Sequence, residues 1–116
     1  MAQTTTEILF PQTAYSGTNN LIRGDKKAAA AYYLGNADLQ TVTWNLTSVT
    51  GLITIQASLV TSPVESTDTD WFTVYQLSCN NTTQNGYTNI NGNFVWLRAK
   101  IAGFTQGVIQ NVKVSY

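Results

Sequence analysis

Apolar and polar residues alternate along most of the chain, the period of a strand buried on one face. In LQTVTWNL, Val42, Trp44 and Leu46 fall on one side, with Thr41, Thr43 and Asn45 on the other. After Gly51, LITIQASLV groups Ile53, Ile55, Ala57 and Leu59 opposite Thr54, Gln56 and Ser58. WFTVYQL is apolar on both faces, with Phe72 and Val74 on one and Trp71, Tyr75 and Leu77 on the other. NFVWLRAKI sets Val95, Leu97, Ala99 and Ile101 against a mixed stripe of Phe94, Trp96, Arg98 and Lys100. The last run, VIQNVKVSY, aligns Val108, Val112, Val114 and Tyr116, with Gln110 as the exception.

Turn formers separate these runs. Asn85-Gly86, Asn91-Gly92, Gly35-Asn36 and the Gly103/Gly107 neighbourhood favour positive φ and tight reversals. Helix has little to stand on. The alanines between Asp25 and Leu34 carry helix propensity, but Tyr32-Tyr33-Leu34 before Gly35 reads as a strand, and a strand is the expectation. LTSVTGLITI and IAGFTQGVIQNV echo each other, as one hairpin design used twice. Short strands at spacings of about 8–15 residues, with turns between, predict an antiparallel β-sandwich or barrel. The first 25 or so residues show no sustained period. The expected organisation is an extended N-terminal arm over residues 1–25 and a single all-β sandwich domain over 26–116. Ile8, Leu9, Phe10 and Tyr15 are the arm's apolar anchors.

Composition narrows the function. The 116 residues make one domain, with enough chain to bury a core without metals or disulfides. Only 10% are charged, and 6 Lys+Arg balance 6 Asp+Glu. Thr, Asn, Gln and Ser together make up 44 residues. Zero net charge without a basic cluster removes the counterion release behind nucleic-acid binding. It equally removes electrostatic capture by an anionic membrane. The absence of His excludes His-based metal sites, a Ser-His-Asp triad and a histidine pH switch. A lone Cys79 forms no internal disulfide. The opening MAQTTTEILFPQ lacks the charged and apolar stretches of a signal peptide, and no apolar run is long enough to span a bilayer. Folding in a reducing cytoplasm is therefore expected, without any cofactor.

Four features invite chemistry. Glu65, Asp68 and Asp70 are spaced for a carboxylate pair or the start of a calcium loop. The Gly and distal Glu of a calcium loop do not follow, and a solvated loop capping the strand at Trp71 accounts for the cluster. Trp44, Trp71, Trp96 and the six Tyr suggest a sugar-stacking platform, although Trp44 lies on the apolar face and belongs to the core. Phe94 and Trp96, beside Arg98 and Lys100, suit either a protein interface or a second core layer. Cys79 has no His partner to make it a nucleophile and reads as an inert, partly buried thiol. Three Asn-X-Thr sequons follow from a Thr/Asn-rich composition. No phosphate loop or nucleophile elbow is present, and no enzyme is expected.

The ordered segments YYLGNADLQTVTWNL, GLITIQASLVTSP, DWFTV and NGNFVWLRAKIAGFTQGVIQNVKVSY resemble small virion structural proteins of tailed bacteriophages, especially contractile-tailed phages of marine cyanobacteria. The resemblance spans Tyr32 to Tyr116 and leaves out the arm. It implies a compact β-sandwich similar to discoidin-like or jelly-roll modules, added to the phage particle as a structural or adhesive component. On that basis the expected location is the virion, assembled in the host bacterial cytoplasm. The expected partners are other virion proteins (capsid, tail or baseplate subunits) or further copies of the chain. A head decoration or cement role leads, with Ile8, Phe10 and Tyr15 as docking residues and Phe94 and Trp96 as second choice. The alternative is a tail-fibre or baseplate module for host-surface glycan, sited around Asp68 to Trp71 and Asn80 to Asn91. That alternative predicts an exposed aromatic in a shallow groove beside Asn, Gln or Asp side chains.

Overall fold

The computed structural model describes residues 6–18, 20–29, 39–92 and 94–116. Tyr32, Tyr33, Leu34 and the Gly35-Asn36 turn lie outside the described residues. The described chain is all-β. Where several short strands were expected, three strands of 20 residues each carry the fold: β5 (Leu39–Ser58), β6 (Phe72–Asn91) and β7 (Trp96–Ser115). Four short strands precede them: β1 (Thr6–Phe10), β2 (Thr13–Ala14), β3 (Ile22–Arg23) and β4 (Lys27–Ala28). All pairings are antiparallel, and β5 lies between β6 and β7.

The long strands cannot be straight. At about 3.3 Å per residue a straight strand of that length would reach roughly 65 Å, yet the longest dimension of the molecule is 40 Å. All three bend near their middles. Ser48 in β5 and Asn81 in β6 both have φ of 52°. The pairing registers shift around these residues, as at β-bulges, which turn a strand out of its plane. Polar side chains latch the corner. Ser48 N donates to Thr83 Oγ1 at 2.8 Å, and Asn81 N donates to Thr50 Oγ1 at 2.9 Å. Gln106 Nε2 donates to both Ser48 O, at 3.2 Å, and Asn81 Oδ1, at 3.0 Å. In β7, Gly107 has φ of 99°, and a Cβ there would run into the Ser48 backbone. The two echoing segments are thus neighbouring corners, with Thr47 paired to Val108 and Thr50 to Gln106. They are bends within strands, where hairpins were expected.

Bent double, the sheet packs on itself in a sandwich-like arrangement. One layer holds the first half of β5 with the second halves of β6 and β7; the other layer holds the remaining halves. The four residues 92–95 carry the chain from the end of β6, beside Leu39, to the start of β7, beside Ser58. So short a link requires the two ends of β5 to be close. Across the layers, Trp44 stacks on Tyr75 with ring centroids 5.6 Å apart, and Tyr116 Oη donates to Ala28 O at 2.7 Å. The inward faces supply one core, including Val42, Trp44 and Leu46 from one layer and Ile53, Ile55, Leu97 and Ile101 from the other. The first half of β5 keeps its period-two burial, whereas residues 53–58 are buried on both faces, Thr54, Gln56 and Ser58 included.

The N-terminal stretch runs along β7 from end to end. β1 pairs with residues 112–115, β2 with Ile109 and Val108, β3 with Ile101 and Lys100, and β4 with Leu97 and Trp96. It is in effect a fourth long strand in four pieces. The expected boundary at 25/26 falls between β3 and β4, which both pair with β7. Leu9 and Phe10 belong to the core.

Candidate binding surfaces

The acidic cluster lies in the segment between β5 and β6, and its carboxylates do not converge. Glu65 Oε1 accepts from Lys26 N at 2.9 Å, and Asp70 Oδ2 accepts from Val64 N at 2.8 Å. Asp68 meets three cations: Arg23 Nε at 3.1 Å, Arg98 Nη2 at 3.0 Å and Lys100 Nζ at 2.6 Å. Among the described residues no group of His, Cys, Asp and Glu is placed to hold a metal ion.

What the segment does is cover Arg98. This residue leaves its strand on the outer face, opposite Gln56, yet is 0% exposed. Its Nε donates to Gln56 Oε1 at 2.8 Å, Nη1 to Glu65 O at 2.7 Å, and Nη2 to Thr67 O at 2.9 Å and Asp68 Oδ1 at 3.0 Å. The Trp71 ring lies over the guanidinium, 4.2 Å from centroid to Cζ. Burial pulls the Arg98 pKa below its ordinary value, and the Asp68 carboxylate acts against that. Asp68 itself is held down to about 2, first by the hydrogen bond from Lys100, while partial desolvation opposes the shift. Of the two readings of this stripe, an interface or a second core layer, Arg98 follows the second, because the covering loop supplies it with carbonyls, a carboxylate and a ring.

The proposed docking residues fall into different environments. Phe10, 1% exposed, has no surface to offer a partner, because the bulge between Ile8 and Phe10 turns it into the core. Ile8 is 47% exposed on β1. Tyr15 is half-buried and meets Phe104 edge-on at 5.4 Å. Phe94 is half-buried against Phe72, with ring centroids 5.7 Å apart. Trp96 is half-buried, donates Nε1 to Thr61 O at 3.3 Å and carries Lys26 Nζ 4.6 Å above its ring. Trp44 is core, as expected, and so is Trp71, which donates Nε1 to Val64 O at 2.9 Å. Cys79 is buried, and burial pushes its thiol pKa up.

Asn80 to Asn91, expected as a loop, forms the second half of β6, and Asn85-Gly86 lies within it. No reversal occurs there. Gly86 pairs with Trp44, and a Cβ on Gly86 would lie 2.6 Å from Trp44 Nε1. The glycine lets the indole occupy that space. On the outer side of the same strands runs a shallow groove of about 380 Å³ lined by Thr43, Trp44, Asn45, Asn85, Gly86, Tyr87 and Asn111. Asn45 is paired with Asn85 on one side and Asn111 on the other, and Thr43 is paired with Tyr87. The sequence spacing does not disclose this row, because it is set by the pairing of three strands far apart in the chain.

Two edges close the sheet differently. The outer edge of β7 is covered by the N-terminal stretch, whereas β6 pairs with β5 alone among the described residues.

No family model matches this sequence, and no curated protein matches it significantly. In structure the chain is similar to the SPBc2 prophage-derived protein YomS, with a TM-score of 0.59 at 14% sequence identity. The match covers 97% of this chain and 91% of that one. At that identity the likeness establishes the all-β fold over nearly the full length of both chains.

Proposed function

We propose that the chain is a non-enzymatic structural protein of a bacteriophage particle that docks on the particle exterior, as a head decoration or cement protein. The observation that carries the docking is the edge of β6, which among the described residues pairs with β5 alone. This edge strand of 20 residues contains no Asp, Glu, Lys, Arg or Pro. Soluble proteins usually protect a free edge with such residues, because unpaired N–H and C=O groups invite another strand. An edge left without them suits addition of a strand from a neighbouring subunit. Phe72, 42% exposed at the start of β6, adds apolar surface there. The phage assignment draws on the full-length likeness to a prophage-derived protein and on the resemblance of the sequence to virion proteins.

The test is gold labelling of intact particles of the encoding phage with an antibody against this chain, beside particles carrying Gln76→Lys and Gln84→Lys on the β6 edge. Label over the head, lost in the double variant while the isolated variant keeps its melting temperature, supports decoration through β6. Label confined to the tail overturns the decoration role, and no label on any particle overturns the virion assignment.

A further inference from the structure

We propose that the groove across β6, β5 and β7 binds an uncharged carbohydrate, with Tyr87 as the stacking platform and Asn45, Asn85 and Asn111 as the polar readers. The inference goes beyond the docking role and holds wherever on a particle the chain sits.

Three observations converge. The first is register. Strand pairing brings Asn111, Asn45 and Asn85 side by side in one row, with Thr43 and Tyr87 in the next row on the same face. The second is unused hydrogen-bonding capacity. None of the three Asn amides has a hydrogen-bond partner among the described residues. Other amides of the fold, such as those of Asn20 and Gln106, are engaged with backbone carbonyls. Each free amide offers donors and an acceptor together, the pairing that neighbouring sugar hydroxyls require. Trp44, which also lines the groove, has an Nε1 with no partner. The third is Tyr87, which at 70% is the most exposed of the large apolar side chains among the described residues. A tyrosine face is electron-rich and attracts the C–H face of a sugar ring.

Charge selects the class. None of the seven lining residues is charged. The nearest cation in the register is Lys113, paired with Thr43 on the side away from Tyr87. A phosphate or sialic acid carboxylate would find no countercharge among the lining residues, whereas neutral hydroxyls find the amides. At about 380 Å³ the groove lies within the range of small-ligand clefts and has room for roughly two sugar rings.

The experiment uses the full chain, ¹⁵N-labelled, titrated with neutral oligosaccharides of glucose, galactose and N-acetylglucosamine, and in parallel with sialyllactose. Saturable shifts of the Asn45, Asn85 and Asn111 side-chain amides with at least one neutral sugar are expected. Tyr87→Ala should weaken that binding at least tenfold, and Tyr87→Phe should retain it, because the ring does the work. Circular dichroism melting of both variants identifies any loss that comes from unfolding. Asn45→Ala provides a second reading, since it removes an amide and leaves the platform intact. No saturable shift with any neutral sugar, equal binding by folded Tyr87→Ala, or preference for sialyllactose overturns the inference. Because the titration needs no particle, failure of the docking role leaves this result standing, and the reverse also holds.

Discussion

Arg98 is wholly buried, and its Nη2 stands 3.0 Å from Asp68 Oδ1, a carboxylate whose side chain is 40% exposed. The pair joins strand β7 to the covering segment, with solvent reaching only the acid. Asp68→Asn leaves Arg98 with its carbonyl partners but without the carboxylate in contact with it. The expected cost is about 1–3 kcal/mol, less than for a fully enclosed pair because water screens the acid. Thermal melting at neutral pH measures it. The pH dependence has a defined sign. Asp68 titrates lower in the fold, at about 2, than the ordinary value of 3.8. Its contribution is thus present above that ordinary value and lost as pH falls toward 2. Wild type should therefore lose stability between about pH 4 and 2, and Asp68→Asn should show a shallower acid slope there. Equal slopes would show that other carboxylates drive the acid response.

Phe10 and Ile8 are two residues apart on β1, yet one is core and the other open to solvent. Phe10→Ala should cost about 3–5 kcal/mol, the range for emptying a buried aromatic site. Ile8→Ala should change stability by less than about 1 kcal/mol. Urea denaturation separates the two. A mild effect at Phe10 would mean that β1 contributes little to the fold and could detach to reach a partner.

The contrast between these two residues shows what the sequence could disclose. Alternation exposed the inward faces of β5 and β7, because half-buried strands write their period into the chain. It could not show that LQTVTWNL and LITIQAS are one strand, because the corner at Ser48 and Gly51 carries the same small and polar residues as a turn. Asn85-Gly86 misled for a related reason: glycine served the Trp44 indole, a contact 42 positions away that local spacing cannot register. Arg98 stayed undecided between an interface and a second core layer because nothing in its own strand reveals the segment that covers it. The groove was half legible. Its chemistry, an exposed aromatic beside amides, was anticipated, but Asn45 and Asn111 enter it only through strand pairing.

Cys79 offers a probe of the β6 edge. Its thiol is buried and its pKa raised by desolvation, with Thr82 opposing the shift. Since the thiolate is the reactive form, a thiol reagent should modify native protein at least tenfold more slowly than denatured protein at pH 8. Rapid modification of the native chain would reveal that β6 opens locally.

Gly86 links the core to the groove, and its substitution tests both. A Cβ at this position would lie 2.6 Å from Nε1, 2.7 Å from Cε2 and 2.8 Å from Cζ2 of Trp44. The indole cannot easily retreat, because its other contacts include the stack on Tyr75 from the opposite layer. Gly86→Ala should therefore destabilise by about 1–3 kcal/mol, the usual cost of overpacking, although alanine ordinarily suits a strand better than glycine. Trp44→Phe removes the atoms that clash. If steric overlap is the cause, adding Gly86→Ala to Trp44→Phe should cost little more than Trp44→Phe alone, with a coupling of about 1 kcal/mol or more in a double-mutant cycle. Additive costs would instead assign glycine's role to the strand backbone, and the close approach of β6 to the indole would no longer explain why an Asn-Gly pair occupies the middle of a strand.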